Sequence, residues 1–186
     1  LHESVLSHVA AAAWAEVALG AMAFLWGAML GSFVNVVLHR LPRGASVVTG
    51  RSHCPTCGSQ VRSRDNVPVL GWLVLRGRCR DCHAAISCRY PLIEAACGAI
   101  AVAVAMAELD GPGWMPGGPG RPGIDRLLSG DWHIAARWGV RTVVAVAMLT
   151  WCLLEHDADT AAGATDAVGR PSGRRGTRRQ QGGSAV

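Results

Sequence analysis

Lysine is absent from the 186 residues; all 18 basic side chains are arginine. Aromatic residues are scarce at 5%, with one tyrosine and two phenylalanines, and charged residues make up only 17%. Each shortage closes a possibility. Low charge beside 50% hydrophobic residues excludes a disordered acidic or basic chain, and the composition fits neither a collagen-like repeat nor a coiled coil. No aromatic platform is interleaved with the arginines, so single-stranded nucleic acid lacks a stacking surface. No glycine-rich phosphate loop follows a strand pattern, so the residues themselves offer no nucleotide site. The sequence begins at Leu1 rather than methionine. Arginine in place of lysine accompanies an Ala/Gly/Val-rich composition and carries no functional reading of its own.

What is present is apolar sequence, with a mean hydropathy of +0.24. A helix of roughly 20 apolar residues crosses about 30 Å of hydrocarbon. Residues 9–38 satisfy this, with Glu16 near their start and no charge from Val17 to Leu38. The run is too long for the apolar part of a signal peptide, and no arginine precedes it. Residues 92–109 and 134–154 form two further candidates; Arg137 and Arg141 lie in the first turns of the last. Ala95 to Ala107 has no polar face, unlike a helix at the surface of a soluble domain. The predicted fold class is an all-α polytopic membrane protein with three transmembrane helices. Gly27 and Gly31 form a GxxxG pair, with Gly20 seven residues earlier, and such a face lets a second helix approach closely. Residues 39–91 form the loop between the first two helices. Residues 110–133, which include GPGWMPGGPGRPG, read as a Pro/Gly linker. Residues 155–186 read as a polar tail, expected to be disordered from Ala161 onward.

The arginines orient the chain. Residues 39–91 hold nine arginines against Asp65 and Asp81, the first eight residues hold none, and the tail holds five. Residues 110–133 hold two arginines and three aspartates. Positive segments stay inside, so the N-terminus is expected outside and the 39–91 loop in the cytoplasm. Arg137 and Arg141 then fall at the outer end of the third helix, where snorkelling would accommodate them. The formal charge of +5 therefore reads as a topology signal rather than a nucleic-acid footprint.

Four of seven cysteines have diagnostic spacing. Cys54-Pro-Thr-Cys57 and Cys79-Arg-Asp-Cys82 are CxxC pairs with 21 residues between them. Two residues between ligands let one tight turn aim both sulfurs at a single ion, and two such turns complete a tetrahedral S4 site with Zn–S near ~2.3 Å. Gly58 suits the backbone reversal after the first pair. A cytoplasmic loop disfavours disulfides, and a thioredoxin-like motif would need a βαβ setting. The expectation is a zinc-ribbon-like loop with Cys54, Cys57, Cys79 and Cys82 as ligands of a structural Zn²⁺. The alternative is two thiol pairs without metal, or disulfides. His53 and His83 flank the pairs as hydrogen-bonding neighbours or substitute ligands. Cys88 has no partner at useful spacing, and Cys97 and Cys152, in apolar helices, read as small buried hydrophobes.

Gly31-Ser-Phe-Val-Asn-Val-Val-Leu-His-Arg-Leu-Pro42, His53-Cys-Pro-Thr-Cys57, Asp65-Asn-Val-Pro-Val-Leu-Gly-Trp72, Arg76-Gly-Arg-Cys-Arg-Asp-Cys82 and Ile86-Ser-Cys-Arg-Tyr-Pro-Leu-Ile-Glu94 follow one another in order. Over residues 27–97 this block resembles the N-terminal part of bacterial type IV prepilin peptidases. The resemblance implies a multi-pass enzyme of the bacterial inner membrane. Its substrates would be prepilins of type IV pili and pseudopilins of type II secretion, whose basic leader it removes. It would then methylate the new N-terminal amine with S-adenosylmethionine. The expected partners are prepilin or pseudopilin and membrane lipid, with no nucleic acid.

The same resemblance implies a pair of membrane aspartates. One carboxylate activates water while the other, protonated, polarises the carbonyl. In the position of the first stands Glu155, with Asp157 as the competing assignment, and both also read as interfacial charges at a helix end. The motif that carries the second, Gly-x-Gly-Asp, occurs nowhere in the sequence; Gly130-Asp131 has Leu128 where glycine is needed. The chain is therefore expected to be a truncated or proteolytically inactive form. Asp65, Asn66 and Glu94 are candidates for holding the methyl donor or the amine. Their alternative roles are pairing with backbone groups or arginines, Glu94 with Arg89 or Arg40. Asn35 reads as a helix-packing hydrogen bonder. The competing function is a non-catalytic membrane scaffold that docks its partner through the zinc loop; a soluble zinc-ribbon nucleic-acid binder is a third reading.

Overall fold

In a computed structural model the chain is described over residues 2–109, 130 and 132–169, with side chains over 14–109, 130 and 132–162. Four helices appear there: α1 (His2–Arg40), α2 (Leu70–Val74), α3 (Arg89–Leu109) and α4 (Trp132–Gly169). Short 3-10 turns occupy Leu41–Arg43 and Ser63–Asp65. No strand occurs among the described residues. Three segments are long and apolar enough to cross a membrane: Trp14–Arg43, Arg89–Leu109 and Trp132–Ala162. They fit a multi-pass membrane protein, with the cysteine loop between the first two.

Local sequence explains the ends. His39 and Arg40 sit in the last turn of α1, where positive charge meets the carbonyl end of the helix dipole. Pro42 stops α1 in a 3-10 turn, which Gly44 closes at φ 63° with its N–H on the Leu41 carbonyl. Helix α3 begins at Arg89, ahead of the expected residue 92, because Pro91 lies in the first turn, where a missing N–H costs nothing. Helix α4 runs past the expected end at Leu154 to Gly169. The stretch from Ala158 to Ala167 is rich in alanine, the best helix former, so its polarity does not break the helix. The expected linker lies outside the described residues up to 129, and so does the tail beyond Gly169.

By internal contacts the chain divides into Leu1–Trp151 and Cys152–Val186. In the first unit α1 and α3 pack through small residues. A Cβ built on Gly27 would stand 2.6 Å from the Ala101 Cβ, and one on Gly31 would stand 2.7 Å from the Glu94 Cα. The α3 side reciprocates: the Phe24 ring lies over Gly98, 2.6 Å from where a Cβ would be. The expected GxxxG contact is thus present, whereas Gly20 faces open space. Lipid tails are as apolar as leucine, so this close packing, rather than the hydrophobic effect, holds the helices together. Trp14, Met22, Met29 and Phe33 point outward from α1, as a lipid-facing surface requires.

Ile134, Trp138, Thr142 and Val146 are spaced four residues apart along α4, and Trp138 joins the helix to this pair. Ile134, Thr142 and Val146 are buried. The Trp138 indole N–H donates to the Ala101 carbonyl at 2.9 Å, and its ring lies 6.3 Å from that of Trp26. Arg137 and Arg141, half-exposed in their side chains, have a shared acidic partner. Both reach Glu108, whose side chain is only 4% exposed: Arg137 Nε donates to one carboxylate oxygen at 3.2 Å and Arg141 to the other. A lone carboxylate at that depth is costly, and the two guanidiniums neutralise it.

In the second unit the helix carries Glu155, Asp157 and Asp159, with Glu155 exposed and Asp157 partly so. The Asp157 carbonyl accepts the Thr160 hydroxyl at 2.9 Å. Cys152 is exposed rather than buried, because this stretch is a single helix with its own side chains turned outward.

Candidate metal centre

Between Leu41 and Cys88 only Gly71 and Gly77 are buried. A segment of this size in which no apolar residue larger than glycine is buried has no hydrophobic core to hold it, so its order must come from backbone pairing, ion pairs and a cross-link.

The two cysteine pairs are folded alike. In the first, the Gly58 N–H bonds the Cys54 carbonyl at 2.9 Å and the Cys54 N–H bonds the Ser59 carbonyl at 2.9 Å. In the second, the His83 N–H bonds the Cys79 carbonyl at 3.0 Å and the Cys79 N–H bonds the Ala84 carbonyl at 2.8 Å. Isolated antiparallel bridges, His53 with Gln60 and Arg78 with Ala85, close each knuckle. Both reversals need a left-handed residue, and Gly58 (φ 72°) and His83 (φ 59°) supply it.

These turns bring all four Sγ atoms within 4.8 Å of one another. Cys54 and Cys82 stand 3.7 Å apart, and Cys57 and Cys79 stand 4.0 Å apart. A tetrahedron with ~2.3 Å bonds has edges of about 3.8 Å, so the donor set fits one tetrahedral ion. A disulfide needs about 2.05 Å, and the four are free thiols. Electrostatics agree with the geometry. The backbone N–H groups of Cys57 and Thr56 bring the Cys54 thiol down to about 6. Hydrogen bonds from Ser59 lower Cys57. Cys82 is pushed up to about 12: the Ala84 N–H opposes the rise, but hydrogen bonding with Cys57, burial, and hydrogen bonding with Cys79 and Cys54 outweigh it. Four sulfurs this close do not all ionise without a cation among them. His53 and His83 do not join the cluster; the His53 Nδ1 lies 3.3 Å from the Arg51 carbonyl.

The knuckles are clamped by charge. Arg80, inside the second pair, makes a two-pronged contact with Asp65: Nε to Oδ2 at 2.8 Å and NH2 to Oδ1 at 2.5 Å. The Arg80 hydrogen bond holds the Asp65 carboxyl below the usual range. Its neighbour Asp81 accepts from Arg62 at 3.1 Å. Helix α2 fastens the loop to the membrane helices. The Trp72 indole N–H donates to the Ile86 carbonyl at 3.0 Å, and a Cβ on Gly77 would meet the Trp72 ring at 2.7 Å. Glu94 does not pair with Arg40 or Arg89; its Oε2 accepts the Val69 N–H at 2.7 Å, tying α3 to the start of α2. Asn35 packs helices as expected, donating from Nδ2 to the Tyr90 carbonyl at 3.1 Å.

Of the residues expected to hold a methyl donor, Asp65 and Glu94 are therefore engaged in structure. Asn66 lines two cavities, one of about 420 Å³ with Met29, Ser32, Phe33, Val36, Val67 and Pro68, and one of about 400 Å³ with Arg51, Ser52 and Ser63. Glu155 and Asp157 lie two positions apart on one helix, a spacing that turns their side chains to different sides. Sequence reasoning missed Glu108. Its signal was an acid in the last turn of an apolar helix, with two arginines one turn apart in the next.

Residues 25–108 match the family described as Bacterial Peptidase A24 N-terminal domain. A prepilin leader peptidase/N-methyltransferase of Aeromonas hydrophila is 40% identical over 117 residues, covering 50% of this chain and 40% of that protein. One from Myxococcus xanthus is 51% identical over 71 residues, covering 38% and 21%. One from Stutzerimonas stutzeri is 34% identical over 157 residues, covering 71% and 44%. The chain spans less than half the length of each of these relatives. No solved structure matches it.

Proposed function

We propose that the chain is the metal-stapled front part of a prepilin leader peptidase/N-methyltransferase, a reading supported by the match of residues 25–108 to the bacterial peptidase A24 N-terminal domain family. The observation that carries this reading is the convergence of Cys54, Cys57, Cys79 and Cys82 inside the matched segment. The ion is Zn²⁺, the metal suited to a closed tetrahedral S4 site in a non-redox role. It supplies folding free energy to a loop without a core. The substrates are prepilins or pseudopilins, and the site of action is the bacterial inner membrane. The nine arginines of residues 39–91 support a cytoplasmic loop and an outer N-terminus.

The chain's own residues do structural work in this account. Asp65 with Arg80 and Arg62 with Asp81 hold the knuckles face to face, and Glu94 and Asn35 seat the loop on α1 and α3. Peptide cleavage needs two facing carboxylates. Glu155 or Asp157 supplies the first, and the partner acid does not come from a Gly-x-Gly-Asp motif within these 186 residues. The 186-residue chain alone therefore leaves prepilin uncleaved. S-adenosylmethionine carries a sulfonium cation, and the two acids expected near it are occupied by Arg80 and the Val69 N–H. No methyl-transfer step is assigned to them.

A scaffold that docks prepilin without cutting it is the second reading, favoured by the structural engagement of both loop aspartates. A chimera distinguishes the two. Residues 25–108 are exchanged into the full-length Myxococcus xanthus relative, and prepilin processing is followed in cells. Retained processing supports the peptidase reading. A membrane-inserted chimera that loads metal but leaves prepilin uncut overturns it.

A further inference from the structure

The segment between α1 and the first cysteine pair is built around one side chain. Arg40 closes α1, and its guanidinium donates to four main-chain carbonyls. NH1 reaches Ser46 at 3.0 Å and Thr49 at 2.6 Å; NH2 reaches Gly50 at 3.0 Å and Arg51 at 3.5 Å. The loop is shaped to present them. The Ala45 N–H turns back onto the Arg40 carbonyl at 3.1 Å. The Ser46 hydroxyl accepts the N–H groups of Val48 (3.4 Å) and Thr49 (3.1 Å), which curls the chain. Gly50, at φ 96°, supplies a backbone turn that side chains resist, and a Cβ there would stand 3.5 Å from the guanidinium. Two residues later the Ser52 carbonyl accepts the Val61 N–H at 2.9 Å, next to the first knuckle.

Converging carbonyls concentrate negative partial charge and need donors spread in a plane. A guanidinium offers five N–H groups in a fixed fork; an ammonium offers three around a point. We propose that Arg40 is a positioning residue of the metal centre: its guanidinium fills a cup of four carbonyls and so fixes the first cysteine knuckle at the end of α1. The cup is a site for a planar, delocalised cation, which here the chain supplies itself. The inference rests on the metal reading of the cysteines for its consequence, whereas the cup exists without the metal.

The test uses the full chain in detergent, with Co²⁺ as the metal and its thiolate absorption band as the readout. Arg40→Ala is expected to weaken Co²⁺ binding about tenfold or more, the usual cost of removing support behind metal ligands. Arg40→Lys is expected not to restore it. Millimolar guanidinium chloride, far below denaturing levels, is expected to restore the alanine variant and leave wild type unchanged. Hydrogen exchange at the Val48 and Thr49 amides, measured without metal, reads the cup directly. It should be faster in Arg40→Ala and slow again with guanidinium. Wild-type Co²⁺ affinity in Arg40→Ala overturns the proposal, as does a loss that lysine repairs and guanidinium does not. If even wild type takes no Co²⁺, the metal reading fails by itself; equal exchange in wild type and Arg40→Ala then removes the cup as well.

Discussion

His83 stands where the first knuckle has Gly58. Both residues hold a left-handed backbone and place their N–H on the carbonyl of the preceding pair's first cysteine. That conformation costs a residue with a Cβ about 1–2 kcal/mol, partly offset by the greater freedom of glycine in the unfolded chain. His83→Gly is therefore expected to stabilise the loop by about 0.5–1 kcal/mol, and Gly58→Ala to destabilise it by about 1 kcal/mol. Unfolding midpoints of the metal-loaded chain check both, and a drop for His83→Gly contradicts the argument. Asp65 gives a pH signature. Arg80 depresses its folded pKa, so its contribution is fully present above the unfolded value. It is lost as pH falls through the folded value. On chelated protein, the stability difference between wild type and Asp65→Asn is expected to be constant near neutrality and to shrink in acid. A difference that grows as pH falls contradicts it. The cysteine ligands were legible in the sequence because CxxC spacing is local chemistry. The partners of Asp65 and Glu94 were not, because each depends on contacts 15 and 25 residues away that no local pattern encodes.

Among the elements, the three apolar runs were legible from length alone, since hydrocarbon thickness sets the number of residues. The GxxxG pair was legible too, but the structure separates Gly27 and Gly31 from Gly20. A Cβ at Gly27 meets Ala101 within 2.6 Å, while one at Gly20 meets nothing. Gly27→Val is thus expected to cost about 1–3 kcal/mol by overpacking, and Gly20→Ala to be neutral or slightly favourable. Thermal unfolding in detergent separates them; equal effects contradict the assigned interface. The anchoring of α4 was not legible. Charge placement predicted only where Arg137 and Arg141 would lie, and the acid that receives them is 29 and 33 residues away. Glu108→Gln leaves two guanidiniums without their carboxylate. It is expected to cost more than Arg137→Gln, after which Arg141 still pairs with Glu108. Unfolding midpoints of the two variants decide, and the reverse order contradicts the buried ion pair.

At the scale of the whole molecule, the membrane helices and the loop are stabilised by different means. Helices α1 and α3 interlock through glycine, alanine and Cys97, which remains fully buried. The loop buries no apolar residue larger than glycine and depends on two ion pairs, two knuckles and the ion that the four sulfurs are placed to hold. A structural Zn²⁺ in small domains is worth about 10–16 kcal/mol, more than the exposed Arg62–Asp81 pair and its partner contact supply together. The most direct measurement of this account is elemental analysis of the intact chain, purified in detergent under reducing conditions, beside Cys57→Ser. One zinc per wild-type chain, lost in the variant while α1 and α3 stay helical, is the expected result. Well-folded wild-type protein without metal, or zinc retained in full by Cys57→Ser, contradicts it.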